Sequence, residues 1–220
     1  MSTMQSLAGD TRSSFKVMSP KDLMAQLQSK AKDDDEDDDE DDDEEEMDYS
    51  ETYMVDLLIE GNMVPLLKRL QTETISEDDL LAVTMDLNIL SAAALYGNHK
   101  VVGLVLQKTN YKLLPDYAYT PIYYAVYNNF KRTVKVLLDH IHGIDLSATD
   151  EYGSTTLHIA AAYEHNEVLQ MLLDRGARVD FANEHGETPL HKAAAHGNVL
   201  GVSILLRNGA FVNKLTAVRT

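Results

Sequence analysis

Apolar residues in the second half of the chain form stripes with the three- to four-residue spacing of a helix face. Three such stripes are present: Val202, Leu205 and Leu206; Leu169, Leu172 and Leu173; and Val134, Leu137 and Leu138. A shorter apolar segment with small residues precedes the last stripe, at Leu190, Ala193 and Ala194. The pattern predicts helix pairs, each made of a short helix with a small-residue face and a longer amphipathic helix.

These helix pairs repeat with a fixed period near the C-terminal end. Residues 153–180 align with residues 186–213, and Gly153, His158 and Gly176 each have an identical residue 33 positions later. Self-similarity at such a period is the signature of a solenoid, in which each unit packs on its neighbours. A stack of repeats is therefore predicted.

Weaker copies of the unit lie upstream. One covers residues 120–145 and begins 35 positions before its successor, with two extra residues between Leu138 and Gly143. Another covers residues 88–106, and residues 53–70 keep the apolar spacing without the turn residues. An atypical first unit of this kind is expected of a repeat that caps the stack.

Helix boundary signals agree with the period. Thr188 followed by Pro189 predicts an N-cap and a proline at the first helical position. Gly97 and Gly197 lie where the chain must reverse between two helices, because glycine accepts the left-handed backbone conformation. Each unit is predicted to be a helix, a tight turn, a second helix and a polar loop.

Two middle units depart from this pattern at the reversal. Asn129 and Glu164 stand where the other units have glycine. Asparagine tolerates the left-handed conformation, whereas glutamate is strained in it. The repeat that contains Glu164 is therefore predicted to be locally weaker.

The segment from Thr188 to Ala193, T-P-L-H-K-A, resembles the signature of the ankyrin repeat, and the resemblance extends over roughly residues 48–213. It implies an all-α fold: an ankyrin-repeat solenoid of helix-turn-helix repeats joined by β-turn or hairpin loops. The implied boundaries are 47–82 for an N-terminal capping helix pair, 83–114, 115–149, 150–182 and 183–214 for about four repeats, and 215–220 for a tail. Because no polar closing repeat follows Asn213, a truncated form is expected, the alternative being a last helix pair that caps the stack poorly.

Fourteen consecutive carboxylates occupy residues 33–46. The chain has a formal net charge of −17, so the other 206 residues carry only −3. Charges this close repel, and the run is predicted to be extended and disordered, as are residues 1–18. Two interpretations stay open: the run is a solvated linker, or it reaches around a basic partner.

A short helix is predicted over residues 19–32, upstream of the run. Ser19 can cap it, Pro20 takes the first position, and Leu23, Met24 and Leu27 share one face. Residues 1–32 carry a net charge of +3. The segment could therefore dock on the acidic run, or in the groove of a partner.

Composition excludes several classes of function. The chain has no cysteine, hence no disulfide, thiol nucleophile or zinc-thiolate site. No apolar run approaches the roughly 18 residues of a membrane helix, and the N-terminus lacks a signal-peptide core. The negative charge argues against direct binding to nucleic acid or an anionic membrane. A cytoplasmic or nuclear protein is expected.

No catalytic motif stands in the sequence, so an enzyme is not predicted and no cofactor is expected. His158 and His191 recur at the histidine position of the ankyrin signature, and the resemblance implies that they tie adjacent loops by hydrogen bonds. Tyr123 occupies the same position and is expected to be structural. His140 and His142 lack a third ligand, so no metal site is predicted.

The resemblance implies a concave face, made of loop tips and the exposed side of each first helix, on which protein partners bind. The loop-tip positions are Asp116, Tyr117, Tyr119, Glu151, Tyr152, Ser154, Glu184, His185 and Glu187. The helical positions are Leu95, Tyr96, Tyr127, Asn128, Tyr163 and His196. Tyrosine supplies six of these fifteen residues although the chain has eleven tyrosines, which favours an interface because tyrosine joins a large ring to a polar tip.

The leading hypothesis is a non-enzymatic adaptor or scaffold that recognises another protein on this face. Its acidic positions favour a basic partner. One alternative is an acidic escort of a highly basic client, such as a ribosomal protein or a histone. Another is an inhibitor that masks a targeting segment of a transcription factor. A monomer is expected, and Asn213 resembles an ankyrin asparagine hydroxylation site.

Overall fold

The computed structural model of the chain describes residues 57–58, 63–72, 83–84, 87–108 and 120–216. The predictions for the first 56 residues, including the helix over 19–32 and the acidic run, lie outside these ranges. So do three predicted partner-binding residues, Asp116, Tyr117 and Tyr119.

The described chain is a succession of helix pairs, which confirms the all-α fold class. Helix α1 (Met63–Thr72) is followed by a two-residue antiparallel hairpin, β1 (Val83–Thr84) with β2 (Leu87–Asn88), in which Val83 lies opposite Asn88. Four helix pairs come next: α2 (Ile89–Leu95) and α3 (His99–Lys108); α4 (Pro121–Tyr127) and α5 (Lys131–His140); α6 (Thr156–Ala162) and α7 (Asn166–Asp174); α8 (Pro189–Ala195) and α9 (Val199–Arg207).

The pairs stack in two layers. The first helices α2, α4, α6 and α8 contact one another in that order, and the second helices α3, α5, α7 and α9 do the same. The apolar stripes meet between the layers, where Leu137, Leu169 and Leu205 are fully buried. Packing of small-faced first helices against amphipathic second helices thus forms one continuous core.

The first helix of the last repeat begins as the sequence predicts. Thr188 has extended backbone angles and Pro189 stands at the first helical position. The Nδ1 atom of His191 accepts a hydrogen bond from the Thr188 N–H, with an N–N distance of 3.2 Å. His158 does the same for Thr155 at 3.0 Å. The recurring histidine is therefore part of the helix cap, and it satisfies a backbone donor that the helix leaves open.

The reversal between the two helices of a pair uses the left-handed conformation in all four pairs of the described chain. Gly97 has φ +70° and Gly197 has φ +73°. Asn129 and Glu164 adopt the same conformation, with φ +57° and +59°. Glu164 therefore holds the strained backbone that the sequence predicts, at a cost of roughly 1–2 kcal/mol.

A column of side chains at these turns joins each repeat to the preceding one. The Asn198 amide donates to the Ala161 carbonyl at 3.0 Å, and His165 Nδ1 donates to the Val126 carbonyl at 2.9 Å. At the equivalent position Phe130 lies over Gly97, so closely that an added Cβ would be 2.8 Å from its ring. The column fixes the register between successive repeats.

Candidate functional site

The loop between repeats is shaped by one buried or half-buried Asx residue. Asp150 Oδ1 accepts hydrogen bonds from the backbone N–H groups of Tyr152 and Ser154, at 2.9 and 2.8 Å. Asn183, 33 positions later, accepts from His185 and Glu187 at 3.0 and 2.9 Å. Each Asx side chain thus accepts hydrogen bonds from the second and the fourth residue after it, which gives both loops the same shape.

Asp150 and Asn183 are functional residues that the sequence analysis missed. A signal was present, because an Asp or Asn stands three residues before the glycine in both D-E-Y-G and N-E-H-G. Their side chains position the loop tips through hydrogen bonds to the backbone.

Adjacent loop tips are tied to each other. The Glu184 N–H donates to the Tyr152 carbonyl at 3.2 Å, and the Asn183 amide donates to Ser154 Oγ at 3.3 Å. Both bonds cross from one repeat to the next. The two tips are therefore joined into one continuous surface.

The tips expose an aromatic ring beside carboxylates. Tyr152 is 57% exposed, and Glu151 and Glu184 next to it in space or sequence are exposed as well. The charge of Glu151, together with a hydrogen bond to its carboxylate, raises the pKa of Tyr152 above its ordinary value. The tyrosine therefore remains a neutral hydrogen-bond donor throughout the physiological pH range.

Aromatic rings form a row at the C-terminal ends of the first helices. The rings of Tyr123 and Tyr127 stack with centroids 6.3 Å apart, and Tyr127 meets Tyr163 edge to face at 5.5 Å. His165 stacks on the other side of Tyr163 at 5.9 Å. Tyr123 is buried, as expected of a structural residue, whereas Tyr163 is 53% exposed. The row leads from the core to the surface.

The other helical positions differ in exposure. His196 is exposed and donates from Nδ1 to the Lys192 carbonyl at 2.9 Å. Asn128 is half-buried and donates to the Tyr124 carbonyl at 3.1 Å. Tyr96 is half-buried too, and burial raises the pKa of its hydroxyl. Of these three residues, only His196 is exposed.

Two of the predicted partner-binding residues are buried, and their assignment to the surface was wrong. Leu95 has no exposed surface, because α2 is enclosed by α3, α4 and the hairpin strand β2. Ser154 is 5% exposed, since it closes the loop on Asp150 and accepts from Asn183. Both contribute to packing rather than to contact with a partner.

Glu187 is engaged within the protein. Its carboxylate pairs with Lys192 at 2.5 Å and accepts from the Asn183 amide at 3.2 Å. These bonds, that of Lys192 above all, lower the pKa of the Glu187 carboxyl. Glu187 is one of the acidic positions from which the sequence analysis expects a basic partner, and Lys192 on the next helix neutralises its charge.

In the residues that it describes, the structure has no cluster of metal-binding side chains and no membrane-spanning helix. Among residues 57–58, 63–72, 83–84, 87–108 and 120–216 no three His, Asp or Glu side chains are grouped to hold a metal ion. His140 donates to the carbonyl of Val136, one turn back in its own helix, at 2.9 Å. No helix in the same ranges has the length and apolar character needed to span a bilayer.

Asn213, the predicted hydroxylation site, is exposed beyond α9. Its counterpart one repeat earlier, Asp180, accepts a hydrogen bond from the Phe211 N–H at 3.1 Å. The Asn213 side chain is open to solvent, which a modifying enzyme requires. Its hydroxylation stays a prediction.

A family model for ankyrin repeats, in three copies, matches residues 52–150 and 141–216, which is most of the chain. A curated relative, Inversin from Danio rerio, is 43% identical over 47 residues. That alignment covers 21% of this chain and 5% of Inversin, so the chain corresponds to a small part of that relative's length.

Proposed function

Because the chain belongs to the ankyrin repeat family, we propose that it is a non-enzymatic adaptor that binds another protein on its concave face. Ankyrin repeats serve protein–protein interaction in general, and the family supports this class of function. One observation carries the proposal: the loop tips at Tyr152 and His185 are locked into a single surface by the bond between Glu184 and Tyr152. A surface with little freedom to lose on binding favours recognition.

The partner is proposed to be basic. The exposed acidic side chains of the described tips and turns are Glu151, Glu164 and Glu184, while Lys192 on the same side is held by Glu187. A cationic segment would meet these carboxylates beside the exposed rings of Tyr152 and Tyr163. Arginine and lysine side chains bind over such rings, and like-charged partners are repelled.

A second candidate is an acidic escort of a highly basic client. The run of fourteen carboxylates at residues 33–46 favours it, because so dense a negative charge attracts lysine and arginine. In that case the run supplies most of the affinity by attraction to lysine and arginine, and the binding weakens steeply as salt is added. The adaptor depends on the tyrosines of the concave face instead.

Affinity capture from cell extract separates the two candidates. The intact chain is compared with a variant whose residues 33–46 are replaced by Ser and Gly, and with the double variant Tyr152→Ala, Tyr163→Ala. Lys135→Ala, an exposed change on the second helix α5, serves as the control. For the adaptor, the same partner binds the intact chain, the run replacement and the control, and is lost from the tyrosine variant.

The opposite result identifies the escort. If basic proteins bind the intact chain and the tyrosine variant but disappear with the run replacement, the concave face is not the binding surface. The adaptor proposal is then rejected. Repeating the capture at low and moderate salt checks the electrostatic origin of the difference.

A further inference from the structure

Basic residues are concentrated in the part of the sequence that contains α3 and α5. Residues 99–140 include six Lys or Arg and two Asp or Glu, although the chain as a whole has a formal charge of −17. The sequence on either side is acidic. Residues 47–98 contain nine Asp or Glu and two Lys or Arg, and residues 141–187 contain the same numbers. One positively charged zone therefore lies between two negatively charged ones.

Three of these cations share one exposed surface, which we call the basic face. It consists of Lys100 on α3 and of Arg132 and Lys135 on α5. Lys100 and Arg132 occupy equivalent positions, because each is the second residue of its helix. Lys135 follows Arg132 by about one helical turn, which puts both on the same side of α5. Since α3 and α5 pack side by side, at the roughly 8–10 Å spacing of packed helices, the three side chains form one patch.

The basic face has no acidic partner in the part of the chain that the structure describes. Lys131, next to it on α5, pairs with Glu167 at 2.8 Å, and Asp139 pairs with Arg175. None of the three side chains of the basic face makes an ion pair or a hydrogen bond with a described residue. Two of them stand in the first turn of their helices, where the helix dipole adds to the positive potential. The described repeats therefore leave the charge of this face open to an anionic ligand.

The acidic run of residues 33–46 has the charge and the length to cover the basic face. Its fourteen carboxylates outnumber the three cations, so each cation has several carboxylates to bind. Fully extended, the run spans about 46 Å, several times the spacing between two packed helices. The concave face does not attract the run, because Glu151 and Glu184 on its exposed tips repel it.

The point of attachment keeps the run close to the basic face. Ten residues separate Glu46 from Leu57, which is fully buried in the common core. Helix α1, which follows Leu57, packs against α3. Ten residues span at most about 36 Å, or about three helix diameters. A link of this length gives an effective concentration on the order of millimolar, so that individually weak ion pairs are sufficient.

We propose that the acidic run binds the basic face of its own chain. The inference concerns a surface other than the concave face, and it does not depend on the proposed function. Three exposed cations neutralise only part of the run, so the remaining carboxylates stay available to a lysine-rich ligand. Such a ligand has to compete with the basic face, which therefore weakens its binding to the run.

Paramagnetic relaxation in the full chain tests the contact. Because the chain has no cysteine, Asp39→Cys provides a single attachment site for a nitroxide spin label within the run. Residues close to the label lose amide signal intensity in NMR spectra. We expect strong losses on α3 and α5 around Lys100 and Arg132, and weak losses at the loop tip around Glu184. Added salt is expected to restore the signals, because it screens exposed charges.

Two double variants with the same change in charge locate the contact. Lys100→Glu, Arg132→Glu reverses the basic face and is expected to abolish the losses on α3 and α5. Arg178→Glu, Arg207→Glu reverses two exposed cations elsewhere and is expected to leave the losses unchanged. Circular dichroism verifies that both variants fold.

A mixture of two chains shows whether the contact lies within one copy. One chain carries only the spin label, and the other carries only the isotope that NMR detects. Equal losses in the mixture and in the chain that carries both labels would mean binding between copies and would overturn the proposal. The same holds for an absence of losses on α3 and α5, for losses spread evenly over the repeats, and for losses that persist in Lys100→Glu, Arg132→Glu.

Binding of a lysine decamer measures the competition. Its dissociation constant is expected to be lower for Lys100→Glu, Arg132→Glu than for Arg178→Glu, Arg207→Glu by a factor of about three or more, because only the first variant frees the run. The difference is expected to vanish when residues 33–46 are replaced by Ser and Gly. Equal constants with the run present, or a difference that persists without it, would contradict the proposal.

Discussion

His158 Nε2 donates a hydrogen bond to the backbone carbonyl of Glu187 in the next repeat, at 3.0 Å. The same ring accepts the Thr155 N–H on its other nitrogen. One buried imidazole therefore caps its own helix and attaches the following loop, whose tips are part of the concave face. Stability of the stack and position of the proposed binding surface depend on the same side chain.

Replacing His158 by Leu is expected to lower the free energy of unfolding by about 2–3 kcal/mol. The change leaves the buried Thr155 N–H without a partner, which costs roughly 1–3 kcal/mol, and it removes one of the two hydrogen bonds to the Glu187 carbonyl, which keeps the Asn183 N–H. His191→Leu is the matched control, because that ring has the cap but not the bond to a following repeat. It is expected to cost about 1 kcal/mol less. Urea denaturation measures both, and equal losses would show that the bond to Glu187 contributes nothing.

Stability is expected to fall as the pH drops from neutral through 6.5, the ordinary pKa of histidine. Burial lowers the pKa of His158 below its ordinary value of 6.5, and burial likewise lowers the pKa of His165. Both rings therefore bind a proton less readily when folded, and the unfolded chain takes up more protons as the pH drops below 6.5. Their contribution is complete above that pH and is lost as the pH falls through the folded values.

The pH profile of unfolding in urea checks this, with a His158→Leu, His165→Asn double variant as reference. Its profile is expected to be flatter over the same range. Asp145 and Glu187, whose pKa values are lowered, act only at more acidic pH and do not confuse the result. If the stability of the double variant changes with pH as steeply as that of the unmodified protein, His158 and His165 are not the source of the pH dependence.

Gly97→Ala is expected to destabilise the protein more than Gly197→Ala. Both glycines have positive φ, so each alanine costs roughly 1–2 kcal/mol of backbone strain. At Gly97 the new Cβ would also lie 2.8 Å from the Phe130 ring, whereas nothing lies within 4 Å at Gly197. Overpacking of this kind adds roughly 1–3 kcal/mol.

Thermal unfolding of the two glycine variants measures the difference. Adding Phe130→Leu to Gly97→Ala is expected to recover part of the lost stability, because the ring that clashes is removed. The loss of stability in the combined variant is compared with the sum of the losses in Gly97→Ala and Phe130→Leu alone. If the two are equal, the clash with Phe130 is not the cause of the greater loss at Gly97.

Glu164→Gly is expected to stabilise the fold by roughly 0.5–1 kcal/mol. Glycine removes the cost of a left-handed glutamate, although its more flexible unfolded chain offsets part of the gain. Asn129→Gly is the control with nearly the same φ, and there the expected change is close to zero because asparagine tolerates this conformation. The midpoints of urea unfolding compare the two, and a loss of stability in Glu164→Gly would mean that the glutamate side chain makes a contact worth more than the strain.

The sequence was sufficient to predict those features that depend on short-range chemistry. Thr188 with Pro189 starts a helix wherever the backbone is free to do so, and Gly97 and Gly197 reverse the chain because they lack a Cβ. Because the pattern recurs every 33 residues, a helix start or turn found in one repeat is expected at the same position of its neighbour. For this reason the solenoid and its turns followed from the pattern alone.

Features that depend on contacts between repeats were not predictable in the same way. Leu95 occupies a position that is exposed in the last repeat, yet α2 is covered on all sides by its neighbours. Glu187 and Lys192 lie five residues apart across a helix start, and their pairing depends on how the loop folds around Asn183. Burial and pairing of this kind are set by the neighbouring repeat, which a single repeat's sequence does not describe.

The bonds across each repeat boundary determine how the molecule would respond to a pulling force. Several hydrogen bonds hold the last repeat to the one before it, among them that of His158 at its loop and that of Asn198 at its turn. Pulled from its C-terminal end, the stack would release that repeat when the bonds of this boundary break, and the previous boundary would then carry the load. Each release would lengthen the chain by about 110 Å, the extended length of 33 residues. The solenoid is thus expected to unfold one repeat at a time under force.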